Sequence, residues 1–245
     1  MTNSSTARIA LVTGANKGIG LEVARSLAAA GLRVFLGARD PALGEAAAAR
    51  LREAGGDVRF VELDLLRADT LHAAAAAIDA IGGRLDVLVN NAGIAVPGDG
   101  PPGQADIAAV RRAMETNFLG PLAVTQAMLP LLRRSASGRI VNVSSGLGSL
   151  TFNSDPDFVF ASVKPLGYNA SKAALNMLTI QLAAELSGTG IKVNAADPGF
   201  TATDLNGHRG TQTIAQGAAE AIRLALLPDD GPTGGFFSSE GRNPW

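Results

Sequence analysis

Arg8-Ile-Ala-Leu-Val-Thr-Gly14-Ala-Asn16-Lys17-Gly18-Ile19-Gly20-Leu-Glu-Val23-Ala-Arg-Ser-Leu27 is the stretch on which the fold turns. Ile9 to Val12 is a short apolar run of the kind that forms a strand buried on both faces. Three glycines follow at once, and an alanine-rich helical pattern then carries Ile19, Val23 and Leu27 on one face. A strand that turns tightly into a helix aims the helix's free N–H groups and its positive end at one spot, which suits a pyrophosphate. The glycines serve a tight turn, close backbone approach to phosphates, and close packing of helix on strand. Their spacing is Gly-x-x-x-Gly-x-Gly. Lys17 precedes Gly18 and not Ser or Thr, which argues against a nucleoside-triphosphate loop.

Working outward, Arg33 to Asp40 reads as a second strand whose end lies beside the adenosine ribose of a bound dinucleotide. A carboxylate placed first at that end would take the 2′-hydroxyl of NAD, whereas a cation favours the 2′-phosphate of NADP. Arg39 comes first, Asp40 stands behind it, and Lys17 sits in the glycine turn. Two cations converging on one phosphate is the functional reading; a solvated strand-end arginine is the other. Pro41 opens a helix through Glu53. Asp57 to Leu63 is a third strand tipped by Asp64, which would meet an adenine amino group or cap the next helix, about Arg67 to Ile81. Leu85 to Gly93 is a fourth strand running into Asn90 and Asn91. Ligands of doubly wound sheets bind outside the carboxyl ends of strands where the strand order reverses.

A helical region from about Gln104 to Arg134 is expected to break or bend near Asn117 and Gly120-Pro121. Arg139 to Ser145 is a fifth strand ending in two serines. Gly146 to Gly167 lacks a clear helical period and holds Phe152, Phe158 and Phe160. Tyr168-Asn-Ala-Ser-Lys172 leads into a helix over Ala173 to Leu186. Ile191 to Ala196 is a sixth strand, broken by Asp197-Pro198-Gly199. Phe200 to Gln212 reads as a polar flap over a cleft, with His208 as loop surface. Ile214 to Leu227 is the last helix and Gly234 to Ser238 the last strand.

Composition sets the outer limits. The chain has 245 residues, 47% of them hydrophobic, enough for one sizeable core, and its alternating strands and helices favour one α/β domain. We expect a disordered tail over 1–7 and a single domain over 8–245. A formal net charge of −1, with 18% charged residues, offers no basic field for nucleic acid. The absence of cysteine excludes disulfides, thiol chemistry and a cysteine-ligated metal, and no metal site is expected. Met1 to Ala7 does not read as a signal peptide, and no apolar run approaches the roughly 20 residues that span a bilayer. A cytoplasmic protein without membrane partners is the expectation.

The chemistry lies in three side chains. Tyrosine alone is a poor acid–base catalyst at neutral pH. A nearby ammonium favours the phenolate, and Lys172 shares a helix face with Tyr168. A serine hydroxyl at the tip of the neighbouring strand would polarise a carbonyl. The set suits proton transfer at an oxygen while a nicotinamide exchanges hydride with its carbon. A Tyr-x-x-x-Lys pair is often only a surface pair. Here it contains the single tyrosine of the chain and follows a serine-tipped strand downstream of a dinucleotide turn.

Thr13-Gly14-Ala-Asn-Lys-Gly18-Ile-Gly20, Asn90-Asn91-Ala92-Gly93, Asn117, Ser145, Tyr168-x-x-x-Lys172 and Pro198-Gly199, in that order, resemble the short-chain dehydrogenase/reductase family. The match to its single-domain branch runs from about residue 8 to 240. The resemblance implies a seven-stranded parallel sheet of order 3-2-1-4-5-6-7 with three helices on each face. It implies Tyr168 as general acid in reduction, Lys172 lowering the tyrosine pKa and holding the nicotinamide ribose, and Ser145 orienting the carbonyl. Asn117 would bend its helix and hold a water in a proton relay to Lys172. Asp64 and Leu65 would meet adenine; Asn91, with Ala92 and Gly93, the ribose side; Pro198, Gly199, Thr201 and Thr203 the nicotinamide amide. Asn16 to Gly20, Ala38-Arg39-Asp40 and Trp245 look most like NADPH-dependent carbonyl reductases.

The implied activity is reduction of a ketone or aldehyde with NADPH. An alcohol dehydrogenase working oxidatively, or a non-catalytic NADP(H) sensor, are the rivals. One departure bears on assembly: the interval from Ser145 to Tyr168 is longer than usual in the branch, yet shorter than the insertion of its monomeric carbonyl reductases. Dimer, tetramer and monomer all stay open. The same interval is pinned at both ends by proposed site residues, so its phenylalanines would wall a substrate pocket, pack into the core, or meet a second subunit.

Overall fold

The structure is a computed structural model that describes residues 7–245. Apart from Ala7, the tail expected to be disordered lies outside the described residues. In chain order the first half comprises β1 (Ile9–Thr13), α1 (Gly18–Ala29), β2 (Arg33–Ala38), α2 (Pro41–Glu53), β3 (Val58–Glu62), α3 (Ala68–Gly82) and β4 (Val87–Asn90). Next come α4 (Ile107–Met114), a π-helical turn (Glu115–Leu119), α5 (Gly120–Leu132) and β5 (Arg139–Val143). After a short 3₁₀ turn at Gly146–Gly148 follow α6 (Leu150–Ser154), α7 (Leu166–Glu185) and β6 (Lys192–Ala196). A second 3₁₀ turn, α8 (Ile214–Ala225), β7 (Gly235–Ser238) and β8 (Gly241–Arg242) complete the described chain.

The strands form one sheet in the order β3-β2-β1-β4-β5-β6-β7-β8. The first seven are parallel and in the expected order. β8 adds an antiparallel edge that the sequence reading lacked, where the chain turns back at Gly241 and Arg242 pairs with Phe237. Because successive strand residues face opposite sides, each strand contributes to two cores. Ala10 and Val12 pack with Val23 and Leu27 of α1, Ala47 and Leu51 of α2, and Ala221 and Leu224 of α8. Ile9 and Leu11 pack with Leu71 and Ile78 of α3, Met128 and Leu132 of α5, and Leu175 and Leu182 of α7. With α4 and α5 counted as one bent helix, three long helices cover each face. No described helix is long and apolar enough to cross a membrane.

Two boundaries differ from expectation. The interval after Ser145 contains a five-residue helix, α6, started by the Ser149 hydroxyl accepting from the Phe152 N–H. The helix that carries Tyr168 begins at Leu166, not after Lys172, so Tyr168 sits in its first turn. The cause is tertiary. Asp99, in the loop after β4, accepts from the N–H groups of Gly167 and Tyr168, each at 2.8 Å, and so caps the helix from far along the chain.

Candidate active site

The strand order reverses between β1 and β4, and the candidate residues gather beyond the carboxyl ends of the central strands. Gly14 and Gly18 have φ of +61° and +57°, the left-handed region that favours glycine. A Cβ on Gly20 would lie 2.3 Å from Asn91 Nδ2 and 2.7 Å from the Gly14 carbonyl oxygen. Helix α1 begins with no side-chain cap and no acidic residue in its first turn. Its leading N–H groups are thus left for an external anion, which a dinucleotide pyrophosphate would supply. The residues present therefore fit such a cofactor.

Asn91 and Ala92 brace this turn. Asn91 Nδ2 donates to the carbonyls of Thr13 (2.9 Å) and Gly14 (3.2 Å), and the N–H groups of Asn91 and Ala92 both donate to Thr13 Oγ1. Arg39 is exposed at the end of β2 and forms no ion pair among the described residues. Asp40 is committed to α2, its Oδ1 accepting from Leu43 N at 3.0 Å. Lys17 instead pairs with Asp204 of the flap, whose other oxygen takes His208 Nε2 at 2.8 Å. The flap lies over the glycine turn: a Cβ on Gly18 would come 3.8 Å from Thr203 Cγ2. Asp64 Oδ1 accepts from Leu66 N, closing a turn before α3, and Leu65 packs against Gly120.

Tyr168, Lys172, Ser145 and Asn117 do come together. Lys172 is buried, and its Nζ lies 5.7 Å from the centre of the Tyr168 ring. A Cβ on Gly93 would stand 3.5 Å from Lys172 Nζ and 3.4 Å from Asn117 Oδ1, so these two polar groups flank the same glycine. Asn117 is buried in the π-helical turn, which is the expected bend. Its side chain binds Ile94 through both N–H (2.8 Å) and carbonyl (2.9 Å), and donates to Ser171 Oγ at 3.1 Å. Ser145 Oγ accepts from Leu147 N at 3.2 Å, which leaves its own proton for another acceptor. Below lies a buried polar ladder: Asn90 to Asn142, Asn142 to Thr179, and Ser144 to Asn176.

Burial pushes the Tyr168 phenol up to about 12; the Ser145 hydroxyl draws it down and Asp197 pushes it up further. The sequence leads one to expect the opposite direction, from the Lys172 charge. The Tyr168 side chain is part-buried, and loss of water around it disfavours the phenolate. Burial also lowers Lys172 to about 8, with Asp197 acting against it. Two contributors escaped the sequence reading. Asp99 carries no local signal, and Asp197 reads only as a strand breaker, since neither lies near Tyr168 in the chain. Among the described residues no cluster of acidic and histidine side chains could hold a metal ion.

Phe152 stacks on Phe158 with ring centres 4.9 Å apart, Phe158 meets Phe160 edge-on at 5.6 Å, and Phe160 meets Phe200 at 5.7 Å. None of the four belongs to either core. The array ties the interval after Ser145 to the flap after Gly199.

Residues 8–213 match the short chain dehydrogenase family. This chain belongs to that family. Among its short-chain dehydrogenase relatives, a carbonyl reductase (NADPH) 1 of Sus scrofa is 34% identical, with 99% of this chain and 96% of that protein aligned. A (+)-neomenthol dehydrogenase of Capsicum annuum is 32% identical, with 96% of each chain aligned. A carbonyl reductase from chicken fatty liver, solved with NADPH bound, superposes with a TM-score of 0.85 at 30% identity, covering 98% of this chain and 99% of its own.

Proposed function

We propose that this short-chain dehydrogenase is an NADPH-dependent carbonyl reductase that converts a ketone or aldehyde to an alcohol. The observation that carries the reading is the convergence of Tyr168, Lys172 and Ser145 beside an uncapped, glycine-cradled helix start. When bound, the cofactor would supply a hydride to the carbonyl carbon. Gly14, Asn16, Gly18, Ile19 and Gly20 would hold its pyrophosphate, Arg39 and Lys17 the 2′-phosphate, and Asp64 and Leu65 the adenine. Asn91, Ala92 and Gly93 would flank the ribose; Pro198, Gly199, Thr201 and Thr203 would meet the nicotinamide amide.

Ser145 donates to the carbonyl oxygen and polarises it, since its Oγ already accepts from Leu147 N. Tyr168 transfers its proton to that oxygen as negative charge develops there. Lys172 would stabilise the tyrosinate that remains and hold the ribose hydroxyls of a bound cofactor. Asn117 holds the bend beside Gly93 through which a water would return a proton to Lys172. A location in the cytoplasm fits this use of NADPH.

The test is a panel of aromatic ketones, ketoesters, diketones and quinones, followed by loss of NADPH absorbance. Carbonyl-dependent oxidation of NADPH, with NADH much poorer, is expected. Binding of NADPH without any carbonyl-dependent oxidation would favour the sensor reading.

A further inference from the structure

Asp197 directly follows β6, and the reaction as derived above does not use it. Val143 pairs with Ala196 in the sheet, and Ser144 N donates to the Ala196 carbonyl at 2.7 Å. Asp197 therefore stands alongside the serine-tipped end of β5. Lys172 Nζ rests on the Val143 carbonyl of that same strand pair at 2.8 Å. The Asp197 carboxylate is held by neutral donors. Gly199 N donates to Oδ1 at 3.0 Å, Asn243 Nδ2 to Oδ2 at 3.2 Å, and Gly146 N also donates. Oδ2 lies 3.0 Å from where a Cβ on Gly146 would stand, and the rings of Phe152 and Phe158 close the same spot at 3.7 Å. Neutral donors orient a carboxylate without cancelling its charge, and apolar rings leave that charge little screened.

We propose that Asp197 is a positioning residue that sets a negative charge beside the Tyr168–Lys172 pair and keeps both groups protonated in the resting enzyme. The inference rests on the reading of Tyr168 as proton donor. The N–H groups of Gly146 and Gly199 and the Asn243 amide bind this carboxylate, and the charged and titratable groups within its electrostatic reach are Tyr168 and Lys172 from α7 and Glu240 from the turn after β7. Glu240, also anionic, raises the Asp197 pKa, and burial raises it most. Within its ionised range, Asp197 opposes loss of the Tyr168 proton and favours the charged form of Lys172.

Tyr168 is the single tyrosine of the chain, so tyrosinate absorbance in a pH titration reports on it alone and needs no substrate. In the wild-type protein without cofactor the band is expected only above pH 10. Asp197→Asn is expected to bring it to a pH lower by about one unit, a tenfold change in acidity. Asp197→Glu, which keeps the charge, stays near wild type. With an active ketone, the alkaline fall of the reduction rate shifts down in Asp197→Asn in parallel. An unmoved or raised titration in Asp197→Asn, or an equal shift in Asp197→Glu, overturns the proposal. Should Asp197→Asn fail to fold, Asp197→Ser takes the same reading, and a wild-type titration at or below pH 10 overturns the proposal by itself. An unmoved titration with carbonyl reduction intact removes this inference alone, whereas absence of reduction removes only the functional reading.

Discussion

The Lys172 ammonium donates to the carbonyl oxygen of Val143 at 2.8 Å, across the seam between α7 and the end of β5. Val143 is the last residue of its strand, immediately before Ser144 and Ser145. One hydrogen bond therefore fixes the helix that carries Tyr168 to the strand that carries Ser145. Gly148 adds to the closeness: a Cβ there would lie 2.7 Å from Lys172 Cβ.

This burial has a consequence for stability. In the unfolded chain Lys172 keeps its proton to near 10.5, but in the folded protein only to about 8. Between those values the unfolded chain binds more protons, so stability rises with pH across that window. Tyr168 shifts the other way and costs stability only above pH 10. Urea denaturation of wild type and Lys172→Met should show the wild type gaining on the variant by roughly 2–3 kcal/mol from pH 8 to 10.5. A constant difference between the two would contradict a lysine that titrates in its buried place.

Cofactor preference should follow Arg39 and Lys17. Arginine grips a phosphate through two parallel hydrogen bonds, so Arg39→Ala should weaken NADPH binding by roughly 1–3 kcal/mol and NADH binding much less. Lys17 is engaged by Asp204, a flap carboxylate that a 2′-phosphate would have to displace. Asp204→Asn should therefore tighten NADPH binding a few-fold and leave NADH unchanged. Fluorescence titration with both cofactors decides it, and equal affinities in the wild type would contradict the assignment.

The aromatic array should set substrate preference. Its rings lie outside both cores and reach from Gly146, next to Ser145, to Phe200 on the flap. Phe158→Ala or Phe160→Ala should change relative rates among ketones of different bulk, with NADPH affinity unchanged. Uniform scaling of every substrate, or a changed oligomer size on a sizing column, would contradict the pocket-wall reading.

Much of this was legible in the chain because the signals are local. The glycine turn, the strand runs and the Tyr168–Lys172 spacing each occupy a few neighbouring residues, and periodicity reports them directly. The π-helical bend was signalled by a polar Asn117 amid apolar residues followed by Gly120-Pro121. What escaped was set across the fold. The start of α7 depends on Asp99, 69 residues before Tyr168. The direction of the Tyr168 shift depends on burial that no local pattern reveals, and Asp197 reaches the site only because β6 pairs with β5. The strand at Gly241–Arg242 is too short to carry a pattern of its own.

The central claim is that Tyr168 gives its proton to a carbonyl oxygen. Its most direct test compares wild type and Tyr168→Phe on one accepted ketone, with NADPH affinity measured alongside. The phenyl ring preserves packing but has no proton to give. The account predicts near-complete loss of NADPH oxidation with cofactor affinity within a few-fold of wild type. Retention of more than about a tenth of the wild-type rate, a barrier change of only ~1.4 kcal/mol, would contradict it.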